Sequence, residues 1–148
     1  MENFNAPKHH YFYAVGLSYK KADAEIRGQF SLDTKAKTKV LEQAKKEGIE
    51  SLIVTSTCNR TEIYGFAEHP FQLIKLICEN SNGTVEAFQK VGFVYKSQEA
   101  VNHMFRVATG LDSQILGDFE IISQIKSSFN ESKSLGLINT FLDRLINA

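Results

Sequence analysis

Residues 51–67, SLIVTSTCNRTEIYGFA, contain two β-prone runs separated by a short polar break. The first run, 51–57, is β-branched and almost entirely apolar at its centre. The second, 61–67, resumes β composition after Cys58, Asn59 and Arg60. The segment therefore predicts two strands that flank this break.

Two further strands and two helices are predicted on either side of this segment. The strands are aromatic and β-branched runs, and the helices combine a narrow apolar face with Gly, Pro or turn residues at their ends. The predicted strands are 11–17 and 91–95, and the predicted helices are 33–47 and 70–80. The resulting order, strand-helix-strand-strand-helix-strand, is typical of a ferredoxin-like α+β sandwich, in which one face of a four-stranded antiparallel sheet packs on two helices.

Three more helices are predicted after the sheet, over 98–109, 119–129 and 137–148. In the first of them the apolar stripe consists of Val101, Met104, Phe105 and Ala108. On a helical wheel this stripe places His103 on the opposite face, away from the core, and the same construction places Gln124 opposite Ile122. The last stripe reaches Ile146 with no residue typical of a helix end, which predicts that the natural chain continues.

Composition excludes several classes of protein. The chain has 148 residues, 43% hydrophobic and 23% charged, as expected for one globular domain and not for a disordered or membrane-spanning chain. Seventeen basic residues balance seventeen acidic ones, so any contact with RNA must come from a local patch. The two cysteines and four histidines show no metal-binding spacing, so no metal is expected. The polar residues 1–10 are expected to be flexible, and the protein to be cytoplasmic.

The two cysteines differ in their predicted surroundings. Cys78 lies on the apolar stripe of its helix, where burial favours the neutral thiol. Cys58 follows an apolar strand, and if the backbone there is extended, Arg60 lies on the same side as the thiol. A cation in that position lowers a thiol pKa. An inert cysteine beside a surface arginine is the alternative, and TCNR alone favours it.

Two motifs together carry a family resemblance: TSTCNRTEIY at 55–64 and HMFRVATGLDSQILGDFEIISQIK at 103–126. With GLSYKK at 16–21 and Arg27, they resemble the N-terminal domain of glutamyl-tRNA reductase. The resemblance runs from about residue 11 to the end. It implies a catalytic domain over 11–136 and the start of a connecting, spinal helix over 137–148.

The resemblance also implies a reaction and its participants. The family reduces glutamyl-tRNA to glutamate-1-semialdehyde, an early step of tetrapyrrole (porphyrin) biosynthesis, through a cysteine thioester. NADPH is the reductant and binds to a Rossmann domain absent from this chain. A homodimer is expected for the full-length protein, with a downstream aminomutase as a possible partner, and no membrane association is expected.

Site residues follow from the same resemblance, position by position. Cys58 matches the nucleophile, and His103 matches a histidine that donates a proton to the leaving tRNA hydroxyl or polarises the carbonyl. Arg60 matches the residue that binds the glutamate carboxylate. The remaining substrate-binding positions are Thr57, Asn59, Ser113 and Gln124.

Two non-catalytic functions remain open from the sequence. One is a ferredoxin-like RNA-binding module, and the other is a regulatory or protein-interaction domain of the same topology. A reactive Cys58 distinguishes the enzyme from both.

Overall fold

Four strands form one antiparallel sheet in the order β2-β3-β1-β4 in the computed structural model, which describes residues 10–110 and 119–147. The strands are β1 (Tyr11–Ser18), β2 (Ser51–Ser56), β3 (Arg60–Ala67) and β4 (Phe93–Lys96). The two β-prone runs of the opening motif pair as β2 and β3, with Ser56 opposite Thr61. All four predicted strands are therefore confirmed, although β4 begins two residues later than predicted.

Seven helices surround the sheet within the described residues. Four of the five predicted helices are confirmed with shifted ends. The fifth, predicted over 137–148 as the start of a longer helix, is a short helix that ends at Ile146 with Asn147 as its C-cap, and two short helices over 24–29 and 85–91 were not predicted. The helices are α1 (Ala24–Gln29), α2 (Thr34–Lys46), α3 (Pro70–Glu79), α4 (Val85–Val91), α5 (Gln98–Ala108), α6 (Phe119–Ser134) and α7 (Thr140–Ile146).

Both faces of the sheet are buried, so the molecule has a hydrophobic core on each side. Val15 and Leu52 belong to the core that packs against α2 and α3. Ala14 and Ile53, their neighbours along the strands, belong to the core that packs against α5, α6 and α7. Because side chains alternate across a strand, each strand supplies both cores. The sequence predicted only the helix layer on the first face.

The outer edge of β2 is covered by side chains of α6. Ser128 Oγ accepts a hydrogen bond from the backbone N–H of Val54 at 3.0 Å. One turn earlier, the Gln124 side chain bonds both backbone groups of Ser56, accepting from N at 2.9 Å and donating to O at 2.7 Å. Four residues along a helix and two along a strand cover similar distances, about 6 Å and 6.7 Å. Side chains of α6 therefore provide hydrogen-bond partners for the backbone groups of β2 that point away from the sheet, at Val54 and at Ser56.

The predicted orientation of α5 is wrong by about one residue. Its buried residues are Ala100, His103, Met104 and Val107, whereas Phe105 is 42% exposed. His103, predicted to face away from the core, is 4% exposed. The rotation has a local cause, since the His103 ring packs against aromatic rings of β3 and β4 and meets a buried carboxylate.

Candidate active site

Cys58 lies at the tip of a tight turn between β2 and β3. The backbone N–H of Thr57 donates to the carbonyl of Arg60 at 2.8 Å, which leaves only Cys58 and Asn59 outside the ladder. Cys58 is exposed, whereas Asn59 and Arg60 on its C-terminal side are buried. The turn therefore presents one thiol to solvent on a backbone that continues directly into the edge strand β2 and the central strand β3.

The turn is held by contacts from the segment that follows β1. The backbone N–H of Tyr19 donates to the carbonyl of Asn59 at 2.9 Å. Arg27 donates from Nε to the carbonyl of Cys58 at 2.9 Å and from Nη1 to the carbonyl of Ala22. Within the turn, the N–H of Asn59 donates to Oγ1 of Thr57 at 3.1 Å. Both carbonyls of the two-residue tip are thus engaged, which restricts the position of the thiol.

A buried polar cluster begins immediately after the turn, on the face of β3 that packs against α5. Arg60, Glu62 and Tyr64 are spaced two apart and point to this face. The Arg60 guanidinium lies 3.1 Å from the Glu62 carboxylate, and these side chains are 1% and 0% exposed. The Tyr64 hydroxyl also donates to Glu62. An ion pair this deeply buried is maintained only when further hydrogen bonds satisfy it.

His103 completes this cluster from α5. Its Nε2 lies 2.7 Å from Oε2 of Glu62. The imidazole ring also contacts Phe93 and Tyr95 of β4, with ring centroids 4.7 Å and 4.9 Å away. An ionised carboxylate can only accept a hydrogen bond, so Nε2 is the donor in the arrangement that pairs His103 with an ionised Glu62.

The structure corrects the predicted relation between Cys58 and Arg60. That prediction required an extended backbone, but residues 58 and 59 form a bend and Arg60 is the first residue of β3. Cys58 is exposed, while the Arg60 guanidinium is buried against Glu62. The Arg60 charge is thus directed at a carboxylate within the protein.

The other predicted site residues have different surroundings. Thr57 and Asn59 flank the thiol in the turn. Gln124 is bonded to the backbone of Ser56, the residue before Thr57, so α6 reaches the base of the same turn. Ser113 lies outside the described residues. Thr57 and Asn59 are therefore the chain neighbours of Cys58, and Gln124 bonds the backbone of the residue two positions before it.

A small cavity of about 140 Å³ opens beside this cluster, between β4, α5 and the residues that follow β1. His103 lines it, as do the aromatic residues Phe93 and Tyr95. Its remaining lining residues are Ser18, Lys20, Lys21, Val91 and Arg106.

Sequence reasoning did not identify Glu62 or Tyr64 as part of the site, nor Arg27 as a support of the turn. One pattern pointed to the first two. Charged and hydroxyl residues at positions 60, 62 and 64 alternate with apolar or β-branched ones in a strand that is otherwise core. A buried glutamate in a central strand requires partners, and His103 supplies one of them from 41 residues away.

Cys78 differs from Cys58 in environment, as the sequence predicted. It lies near the end of α3 and is only partly exposed. Burial, together with the neighbouring Glu79 charge, raises the pKa of the Cys78 thiol. At neutral pH this raised pKa reduces the fraction of Cys78 that is present as the nucleophilic thiolate.

Neither a metal site nor a membrane-spanning helix occurs among the described residues. No three His, Cys, Asp or Glu side chains within 10–110 and 119–147 come together so as to hold a metal ion. Among the helices of these ranges, none has both the length and the apolar composition needed to cross a bilayer.

Comparisons with known proteins give a consistent family. A family model described as "Glutamyl-tRNAGlu reductase, N-terminal domain" matches residues 15–148. The chain is 73% identical to a glutamyl-tRNA reductase of Flavobacterium psychrophilum, over 100% of this chain and 36% of that protein. It is 66% identical to one of Christiangramia forsetii, over 100% and 35%.

A solved structure agrees with these sequence matches. The fold matches glutamyl-tRNA reductase from Methanopyrus kandleri with a TM-score of 0.73 and 25% sequence identity, covering 92% of this chain and 31% of that one. The chain thus spans about a third of the length of the relatives it matches. It belongs to the glutamyl-tRNA reductase family and corresponds to the N-terminal domain of those enzymes.

Proposed function

We propose that this chain is the catalytic domain of a glutamyl-tRNA reductase, in which the Cys58 thiol attacks the ester that joins glutamate to its tRNA. The observation that carries the proposal is the position of Cys58. It is exposed at the tip of a two-residue turn whose carbonyls are bonded to Tyr19 and Arg27. A nucleophile needs access to its substrate and a restricted position, and this turn provides both.

The proposed step transfers the glutamyl group from oxygen to sulfur. The Cys58 sulfur forms a bond to the ester carbonyl carbon, and the bond from that carbon to the ribose oxygen of the tRNA breaks. The products are a glutamyl thioester and a tRNA hydroxyl, which receives the proton that the thiol loses. Sulfur suits this step because a thiolate is strongly nucleophilic near neutral pH and its acyl adduct remains reactive.

His103 is proposed to carry that proton. With Nε2 donating to Glu62, Nδ1 can accept a proton from the thiol and return it to the leaving oxygen. The Glu62 carboxylate then stabilises the imidazolium, as the buried aspartate does in serine hydrolases. Tyr64 and Arg60 hold Glu62 in place from the same strand.

The glutamate pocket is proposed to involve Arg60, Thr57 and Asn59, together with Gln124 and Ser113. A guanidinium has five N–H donors in a plane, so Arg60 is suited to a substrate carboxylate as well as to Glu62. The double hydrogen bond between Gln124 and Ser56 orients that side chain beside the turn.

NADPH does not fit the residues present. A dinucleotide site is expected where a parallel strand leads through a glycine-rich turn into a helix, and every strand pairing in the described sheet is antiparallel. We assign NADPH binding to another part of the longer protein, as the greater length of the relatives supports. We also propose that this protein is cytoplasmic and homodimeric, and that it supplies glutamate-1-semialdehyde to an aminomutase in tetrapyrrole (porphyrin) biosynthesis.

The proposed architecture is a ferredoxin-like sandwich of β1, α2, β2, β3, α3 and β4, to which the other helices are added. The strand order β2-β3-β1-β4 supports this classification. The catalytic domain is proposed to cover residues 11–136, and residues 137–148 to lead into a connecting helix.

Intact mass spectrometry after incubation with glutamyl-tRNA tests the central step. The chain should gain the mass of one glutamyl group, located at Cys58 by peptide mapping. Cys58→Ser should abolish the adduct. Cys78→Ser is the matched control and should leave it unchanged. An adduct on Cys78, or none on either cysteine under conditions where the longer protein reduces glutamyl-tRNA, would contradict the proposal.

A further inference from the structure

The cavity beside His103 carries an excess of positive charge that the acyl transfer itself does not use. Lys20, Lys21 and Arg106 line it, and its other lining residues are neutral apart from the titratable His103. The chain as a whole has no net charge, so three cations around one small cavity are a local concentration. Such a concentration favours an anion.

Two of these cations have no counter-charge in the described part of the chain. Lys21 and Arg106 are both exposed, and neither side chain forms an ion pair or hydrogen bond with a described residue. The nearest acid along the chain from Lys21 is Asp23, whose Oδ1 accepts from the backbone N–H of Ile26 at the start of α1. Glu62 lies behind His103 and is already engaged by Arg60. As far as residues 10–110 and 119–147 are concerned, the charges of Lys21 and Arg106 are therefore available to a ligand.

The residues that follow β1 connect the cavity to the turn of the proposed nucleophile. Ser18 pairs with Arg60 across the sheet, and the following residue, Tyr19, donates its N–H to the carbonyl of Asn59. The lysines at positions 20 and 21 thus leave the sheet beside the turn that carries Cys58. An anion in this cavity would therefore contact the same segment that hydrogen-bonds the turn of Cys58.

The cavity also has an aromatic wall. Phe93 and Tyr95 stack with ring centroids 5.0 Å apart, and His103 packs against both rings. Aromatic faces beside cationic side chains are the usual means by which proteins hold a nucleotide of a single strand. A volume of about 140 Å³ suits a phosphate and part of its sugar, with the base against the rings outside.

We infer that this cavity binds the phosphate of the 3′-terminal nucleotide of the tRNA, with Lys21 and Arg106 as its main contacts. The inference rests on the proposed function. A glutamyl ester on the terminal ribose has two anionic groups nearby, the glutamate carboxylate and the 5′-phosphate of the same nucleotide. The glutamate carboxylate binds in the proposed pocket around Arg60, which leaves the cavity as the site for the phosphate.

NMR titration of the ¹⁵N-labelled chain with the trinucleotide CCA tests the inference. Adding CCA, or adenosine 5′-monophosphate at higher concentration, should shift amide resonances of residues 18–21, 93–95 and 103–106. Adenosine without phosphate should shift them far less. If free glutamate shifts this set and CCA does not, the cavity belongs to the carboxylate and the inference is wrong.

Charge reversal at the cavity is a second test of the inference. Lys21→Glu combined with Arg106→Glu should weaken CCA binding about tenfold or more and reduce its dependence on salt, because binding releases close to one counterion for each phosphate that a cation neutralises. Both side chains are exposed, so the double variant should fold. Lys46→Glu, an exposed lysine near the end of α2, is the matched control and should bind CCA normally. Equal binding by the double variant and the control would overturn the inference.

The two proposals can fail separately. Cys58→Ser should bind CCA as the unmodified chain does, since the thiol takes no part in binding phosphate. If CCA binds at the cavity but glutamyl-tRNA never acylates Cys58, the proposed function fails and the phosphate site stands. If Cys58 is acylated and the double variant needs no more glutamyl-tRNA for half-maximal acylation, the phosphate site fails and the proposed function stands.

Discussion

The Glu62 carboxylate lies 2.7 Å from Nε2 of His103, although 41 residues separate them along the chain. This contact joins the central strand β3 to α5 across the second hydrophobic core. The same carboxylate meets the Arg60 guanidinium at 3.1 Å and the Tyr64 hydroxyl. One buried acid thus organises three other polar side chains immediately behind the turn that presents Cys58.

Replacing Glu62 by Gln should destabilise the protein by about 3–5 kcal/mol, because the buried Arg60 loses its counter-charge. Urea unfolding of the two proteins measures the difference. Lys75→Gln is the control, since it removes an ion pair with Glu79 in which both side chains are more than 40% exposed. That change should cost less than about 1 kcal/mol. Similar losses in the two variants would show that the cluster is not a buried electrostatic unit.

Thiol reagents should modify Cys58 well before Cys78 in the folded protein. Cys58 is exposed, and burial together with Glu79 raises the pKa of Cys78, so that thiol has less thiolate at neutral pH. The alkylation rate of Cys78 should therefore continue to rise at pH values where the alkylation rate of an ordinary thiol no longer changes. Stopped alkylation followed by peptide mapping measures both rates. Faster labelling of Cys78 at neutral pH is the contrary outcome.

Ser128→Ala should destabilise the protein by about 1–3 kcal/mol, because the N–H of Val54 is left buried without its acceptor. Hydrogen exchange at Val54 should accelerate in the same variant. Ser127→Ala changes the neighbouring exposed residue of α6 and should stay within about 0.5 kcal/mol of the unmodified protein. If exchange at Val54 is unaffected, α6 does not protect the edge of β2.

Gly16→Ala should destabilise the protein by about 3 kcal/mol or more. A Cβ at Gly16 would lie 2.2 Å from the backbone carbonyl oxygen of Thr61, and a backbone atom in the centre of a sheet cannot move away. Gly28→Ala provides the comparison, since a Cβ there meets nothing within 4 Å and Gly28 lies in α1. Alanine should stabilise that helix by about 0.5–1 kcal/mol. Thermal unfolding midpoints that move in the same direction would contradict the prediction.

Thr55→Val should leave stability unchanged or raise it by about 1 kcal/mol. Thr55 is fully buried and its hydroxyl has no hydrogen-bond partner among residues 10–110 and 119–147, so an isosteric methyl removes only an unsatisfied polar group. Thr61→Val should instead cost about 1–3 kcal/mol, because the Thr61 hydroxyl bonds Ser56 Oγ at 2.9 Å. Urea unfolding measures both changes, and equal changes in the free energy of unfolding at the two positions would contradict the prediction.

The strands were predictable because their composition is strong and local. The β-prone composition of residues 51–67 predicted β2 and β3, and the polar break within this segment predicted the turn between them. The short helices α1 and α4 were missed because six or seven residues give too little periodicity. Their ends are marked instead by the single capping residues Asp23 and Thr84, whose side chains accept hydrogen bonds from backbone N–H groups.

The orientation of α5 was mispredicted for a different reason. An apolar stripe counts Phe105 as buried and His103 as exposed, and the structure reverses both. The histidine is buried because β3, which is distant in sequence, provides the Glu62 carboxylate and one aromatic ring, and β4 provides two more rings. The alternation along β3 marks Glu62 as a charged residue in a core strand, but local pattern contains no information about which distant side chain is its partner.

The covering of β2 by α6 has a consequence for how copies of this protein meet. The hydrogen-bonding positions of β2 at Val54 and Ser56 are already occupied by helix side chains, so a strand from another chain finds no template there. The opposite edge is β4, only four residues long and ending in the exposed Lys96. A short edge strand that carries a lysine disfavours pairing with a strand of another chain. The arrangement therefore protects a highly apolar sheet from aggregating edge to edge.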